Sequence, residues 1–203
     1  LSFAWMRQPI PTFQLWEGDR ARLARALGLT PDDLADDLPI ERGSSGVQFI
    51  YIPVRSQAAL ARVQPAADLY IAMGLSSPTD KTGAFTFTLD GAEALRASAE
   101  TASLTVHGRM FAPFLGSRED PATGSAAGPL GGYLVRHGRT RPDAQGDDTA
   151  RVTLWQGVEM GRASRLEVAI ALAENSSPGE RAISGVRVGG SSVIVAEGEV
   201  ILP

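Results

Sequence analysis

Glu119, Asp120, Thr123 and Ser125 lie within seven residues of one another, in the run 116–134: Gly-Ser-Arg-Glu-Asp-Pro-Ala-Thr-Gly-Ser-Ala-Ala-Gly-Pro-Leu-Gly-Gly-Tyr-Leu. Two carboxylates and a proline lead through a Thr-Gly-Ser turn into small residues, and Leu130, Tyr133 and Leu134 follow at helical spacing. The pattern predicts a loop entering the N-terminus of a buried helix over about 125–138. Gly124 lets backbone come close to a ligand there, and Ser125 is expected to cap the helix with its hydroxyl turned into the same space. First-turn amides at Gly124, Ser125 and Ala126, backed by the helix dipole, favour an anion such as a substrate carboxylate. Asp120 reads two ways from spacing alone, as a carboxylate working in a cleft or as one that caps the helix through the Asp-Pro turn. Glu119 is expected to point away, as a solvated charge or a loop brace. In an exposed helix Gly131 and Gly132 would each cost about 1 kcal/mol relative to alanine, so tight enclosure by other backbone is the better account of them.

Composition narrows the chemistry. The 203 residues include no cysteine, which removes disulfides, thiol nucleophiles, zinc–thiolate sites and iron–sulfur clusters. His107 and His137 are the two histidines, too few for a histidine-rich metal site. His107 reads as structural or surface-facing, and His137 as a cation at the helix C-terminus. The acidic run 32–37 reads as a solvated helix start and loop, not a metal site. Thr123-Gly124-Ser125-Ala126-Ala127 lacks the Gly-x-Ser-x-Gly elbow of a serine hydrolase, and no glycine-rich phosphate loop is complete. Trp5, Trp16 and Trp155 read as packing and interface anchors. Carboxylates, hydroxyls, backbone amides or a bound cofactor remain to carry any catalysis, and no metal is assigned. The net charge of −4, with scattered basic residues, argues against nucleic acid or an anionic membrane as partner. No apolar run has the length of a membrane span and the N-terminal residues do not resemble a signal peptide, so the protein is read as cytoplasmic.

Several strands and few helices must position these residues, which predicts an α+β fold. Strands are expected at 1–12, 47–54, 84–89, 104–110, 150–155, 165–172 and 192–202 from period-two patterning. Residues 17–27 read as an amphipathic helix stopped by Gly28, Thr30-Pro31 as a fresh helix start, Ser56 as the cap of a helix through 63, and 65–73 as a short helix. Residues 90–101 and 141–148 read as polar surface excursions.

Glu-Asp-Pro-Ala-Thr-Gly-Ser-Ala, followed by Leu and Tyr-Leu, is similar to the signature of the phenazine-biosynthesis isomerase family, relatives of diaminopimelate epimerase. Arg109-Met110-Phe111-Ala112-Pro113, Gln156-Gly157-Val158-Glu159-Met160-Gly161-Arg162 and Val186-Arg187-Val188-Gly189-Gly190 agree in order. The resemblance implies a diaminopimelate epimerase-like fold of two lobes, each a curved sheet wrapped around a central helix, with the active site between them. Residues 1–12 would then belong to the end of the first lobe, 13–190 to the second, and 191–203 to a strand returning to the first. It implies a cofactor-independent isomerase or epimerase moving a proton on a small amino- or hydroxy-carboxylic acid. Asp120 would hydrogen-bond the substrate's amino or hydroxyl group or assist proton relay, while Gly124, Ser125 and Ala126 hold its carboxylate. The family's acid/base glutamate, in an Asn-x-Ser-Glu-Thr context, and its Gly-His-Ala-Thr turn have no counterpart in this sequence. The chain alone is therefore expected to be inactive, and to form a homodimer or a complex with a chain carrying that segment. A non-catalytic small-carboxylate-binding protein of the same fold is the alternative.

Overall fold

The computed structural model describes residues 2–75, 82–89, 103–113, 117–142, 147–173, 182–194 and 196–199. The excursion expected at 90–101, and residues 143–146 of the one expected at 141–148, lie outside the described residues. The strands are β1 (Ser2–Gln8), β2 (Thr12–Leu15), β3 (Glu41–Ser44), β4 (Gln48–Pro53), β5 (Gly83–Leu89), β6 (Leu104–Ala112), β7 (Ser117–Asp120), β8 (Thr149–Gln156), β9 (Ser164–Leu172) and β10 (Ile183–Ser192). They form one sheet in the order β1-β10-β9-β8-β6-β5-β4-β3-β2, with β7 paired to β6. The β4–β5 and β6–β8 pairs are parallel and the others antiparallel.

The helix α4 (Gly124–Arg136), numbered after α1 (Arg20–Ala26), α2 (Gln57–Arg62) and α3 (Ala67–Ala72), touches β3 and β4 near one end of the sheet and β9 and β10 near the other. A single helix reaches both ends because the sheet curls around it. Nine consecutive residues, 126–134, are buried. The expected enclosure is present: a Cβ on Gly131 would lie 2.7 Å from Val168, and one on Gly132 2.8 Å from Pro11. Phe49, Tyr51, Phe85 and Phe87 join Leu130 and Tyr133 in the core on this face. The alternate residues Ile50, Ile52 and Ala84 face a second core built by α1, α2 and α3. Strand β4 is thus covered on both faces, which is why it reads as a continuous apolar run.

The α+β expectation, with a curved mixed sheet around a central helix, is what the structure shows. Ser56 caps α2 by accepting from the Ala59 amide at 3.1 Å, and Gly28 sits at φ 72° after α1. Three local expectations need correction. Thr30-Pro31 opens only a 3₁₀ turn, Pro31–Asp33, because the Thr30 amide and hydroxyl both bind the Asp33 carboxylate and the chain then pairs with Val54. Acids of the run are ion-paired, with Asp36 and Asp37 exposed and Asp33 half-buried: Asp33 with Arg62, Asp36 with Arg20 and Arg55, and Asp37 with Arg139. The last strand is Ile183–Ser192, and the described residues of 193–199 are not in a strand. Val193 and Ile194 are exposed there and pair with no described strand.

Candidate functional site

Asp120 closes β7, and its place is set from the opposite side by its neighbour. In an extended strand successive side chains point to opposite faces, so fixing Glu119 aims Asp120. Glu119 receives two bonds from Arg109, Nε to Oε1 and Nη2 to Oε2, both 2.8 Å. The remaining Nη1 of Arg109 donates to the carbonyls of Leu60, Ala61 and Val63 at the end of α2. Its guanidinium also lies 4.9 Å over the Phe111 ring. Glu119 does point away, as a brace and not as a solvated charge.

Thr123, not Ser125, is the N-cap residue of α4. Its hydroxyl does not cap the helix. It donates to Asp120 Oδ2 at 2.8 Å, while the Ala122 amide makes a long 3.5 Å contact with Oδ1. The backbone carbonyl of Thr123 accepts from Ala126 and Ala127, both at 3.1 Å. The Ala126 amide is therefore occupied, whereas those of Gly124 and Ser125 have no acceptor among the described residues. Ser125 is exposed, and nothing lies within 4 Å of where a Cβ on Gly124 would stand. The Gly124 carbonyl accepts from Gln8 Nε2 at 2.8 Å, tying β1 to the first helical turn. The structure thus brings Asp120, Gly124 and Ser125 to one open end of the helix and sets Ala126 behind them.

Gln156, the last residue of β8, is fully buried and binds this turn at three points. Its Nε2 donates to the Asp120 carbonyl at 2.6 Å and to Thr123 Oγ1 at 2.8 Å, and its Oε1 accepts from the Thr123 amide at 3.0 Å. Gly157 follows at φ 77°, and a Cβ there would stand 2.4 Å from the Arg162 carbonyl and 2.9 Å from that of Pro121. The left-handed backbone and missing side chain let the β8–β9 turn press on the Asp120 loop. Sequence reading placed Thr123 in the turn but missed its bond to Asp120, and it missed Arg109 and Gln156 as parts of this apparatus. An arginine at a strand position that proves buried, and a glutamine at a strand end before glycine, were the available signals.

The other polar candidates lie elsewhere. His137 is at the far end of α4, as expected, with Nε2 3.2 Å from Glu41 Oε2 and its ring 4.5 Å from that of Tyr133. His107 is half-buried in β6. Trp5 is exposed, with Arg187 5.4 Å over its ring, while Trp16 packs against the second core. Burial raises the hydroxyls of Tyr51, Tyr70 and Tyr133 far above the ordinary tyrosine range. They act here as donors, Tyr51 to the Ala126 carbonyl and Tyr133 to that of Pro39. Among the described residues no three His, Asp or Glu side chains converge on a metal position, and no helix is long and apolar enough to cross a membrane.

The family model described as phenazine biosynthesis-like protein matches residues 3–198. The chain is 36% identical over 207 residues to the trans-2,3-dihydro-3-hydroxyanthranilate isomerase of Pseudomonas aeruginosa, covering 97% of this chain and 58% of that protein. It is 31% identical over 183 residues to an uncharacterized isomerase of Clostridium acetobutylicum, covering 90% and 54%. Among solved structures, the phenazine biosynthesis protein of the PhzF family from Bacillus anthracis superposes with a TM-score of 0.72 at 25% identity, covering 98% of this chain and 61% of that one. A predicted epimerase from Pseudomonas aeruginosa gives 0.64 at 29% identity, covering 99% and 59%. The chain spans a little over half the length of the curated relatives it matches.

Proposed function

Because the chain belongs to the phenazine biosynthesis-like protein family, we propose that it forms part of a cytoplasmic, cofactor-independent isomerase that moves a proton within a small amino- or hydroxy-carboxylic acid. The observation that carries this reading is the placement of Asp120 beside the open first turn of α4, with one carboxylate oxygen engaged by Thr123 and the amides of Gly124 and Ser125 without acceptors among the described residues. A proton shift needs a group that takes the proton and returns it, and fixed dipoles that hold the substrate while it happens. The Gly124 and Ser125 amides and the Ser125 hydroxyl hold the carboxylate of the substrate, with Ala126 supporting the turn. Asp120 accepts a hydrogen bond from its amino or hydroxyl group or relays a proton. The principal acid/base comes from a glutamate outside these 203 residues, on a segment that covers the open end of the helix, and the working assembly is a homodimer or a complex with that segment.

The test is deuterium incorporation from heavy water into trans-2,3-dihydro-3-hydroxyanthranilate, the compound named for two relatives, followed by NMR. The full-length protein is expected to catalyse exchange and the 203-residue chain alone is not. Robust exchange by the 203 residues alone overturns the proposal. Binding of the compound by the full-length protein without exchange supports the non-catalytic reading instead.

A further inference from the structure

We infer that Gln156 is a positioning residue that decides which oxygen of Asp120 is presented to the substrate. This rests on the reading of Asp120 given above. The Gln156 amide fits in one orientation. Turned over, its oxygen would face the Asp120 carbonyl, and its NH₂ would face the Thr123 N–H. With Nε2 on the acceptor side of the Thr123 hydroxyl, the single hydroxyl proton points to Asp120 Oδ2. The donors run one way, from Gln156 to Thr123 to Asp120, and each bond polarises the next. Asp120 Oδ2 is therefore held as an acceptor. Among the described residues Oδ1 has only the long contact from the Ala122 amide, which leaves it to meet a substrate N–H or O–H. The second Nε2 bond, to the Asp120 backbone carbonyl, fixes the main chain under the same carboxylate. Gln156 thus donates both to the backbone of Asp120 and to the hydroxyl that binds its carboxylate.

The test is Gln156→Glu in the full-length protein. The substitution keeps the shape and the acceptor for the Thr123 amide, but an ionised carboxylate cannot donate. The Thr123 hydroxyl is then drawn to it, and Asp120 loses the bond at Oδ2. Crystal structures of parent and variant near pH 8 are expected to show the Thr123 Oγ1 to Asp120 Oδ2 distance opening from 2.8 Å to beyond hydrogen-bonding range. Deuterium exchange into trans-2,3-dihydro-3-hydroxyanthranilate is expected to fall about 10- to 100-fold, the size of one hydrogen bond to a charged group. It should recover relative to the parent as the pH falls and the substituted carboxylate protonates, because a carboxylic acid can donate again. A purely structural role would leave the Thr123 Oγ1 to Asp120 Oδ2 distance unchanged wherever the variant stays folded. Asp120→Asn separates the two levels: if it leaves exchange intact, the reading of Asp120 falls, while the crystallographic distance still decides what Gln156 does. An unchanged Thr123–Asp120 contact in Gln156→Glu overturns the inference, as does parent-like exchange by that variant when Asp120→Asn is inactive.

Discussion

Arg109 and Glu119 face each other in a two-point pair, both bonds 2.8 Å, with side chains only 9% and 11% exposed. The pair joins β6 to β7 and, through three carbonyls, to the end of α2. Removing one member takes a two-point charged contact from a place water barely reaches. Arg109→Ala should cost about 3–5 kcal/mol of folding stability, measurable as a lower urea midpoint. Arg109→Lys should recover part of this, since a point cation cannot serve both carboxylate oxygens and the carbonyls together.

Asp120→Asn keeps the volume of the side chain and removes its charge. In the full-length protein it should lower proton exchange by about 10²–10⁴ while leaving thermal stability nearly unchanged. A parent-like rate in the heavy-water assay would remove Asp120 from the mechanism.

Ser125 is exposed at the first turn and caps nothing, so Ser125→Ala has little stability to lose. Its expected effect is weaker carboxylate binding, by about 1.5–3 kcal/mol for one hydrogen bond to a charged group. Titration calorimetry of parent and variant with the same compound reads this directly.

Gly157→Ala tests the pressure of the β8–β9 turn on the Asp120 loop. A left-handed backbone costs a non-glycine residue about 1–2 kcal/mol, and the added methyl would also meet the Arg162 carbonyl at 2.4 Å. A loss of at least about 2 kcal/mol is expected, with displaced amide resonances at Pro121's neighbours Asp120 and Ala122.

The Thr30 amide foremost, then Arg62 and the Thr30 hydroxyl, hold the Asp33 carboxyl below its usual value of 3.8. A depressed folded-state value means the stabilisation is complete above the unfolded pKa and is lost as pH falls through the folded one. Asp33→Asn should therefore lower stability at pH 7 by about 0.5–1 kcal/mol, discounted for solvent at an exposed pair. The gap to the parent in thermal melts should close as the pH is taken below 3.8.

Most strands were readable because one or both faces are buried and the alternation or apolar run is preserved. The final strand was not, because Ile183–Ser192 carries Gly185, Gly189 and Gly190, and glycine argues against strand. The structure explains Gly189: Phe3 and Trp5 of β1 lie across it, within 2.7 Å of where a Cβ would be. At the site, Asp120, Gly124 and Ser125 stood out through the loop-to-helix pattern. The N-cap position fell to Thr123 instead of Ser125 because the chain reaches its non-helical cap geometry at Thr123, one residue before Gly124. Gln156 could not be found from spacing at all. It is a neutral residue 33 positions from its partner Thr123, and its role exists only once β8 and the helix entry are side by side.

The pairing of β1 with β10 joins Ser2 to Ser192 and Gln8 to Val186, so two strands far apart in the sequence are matched to one another. During synthesis at roughly 5–20 residues per second, β1 has no β10 to pair with for on the order of 10–40 s. Through that interval Gln8 has no settled sheet from which to reach the Gly124 carbonyl, and the inner face that will enclose α4 is one strand short. Such long-range closure is intrinsically slow. The expected consequence is a folding reaction whose final step assembles the Gly124 end of the helix, leaving a late intermediate with its sheet edge open to other copies of the chain.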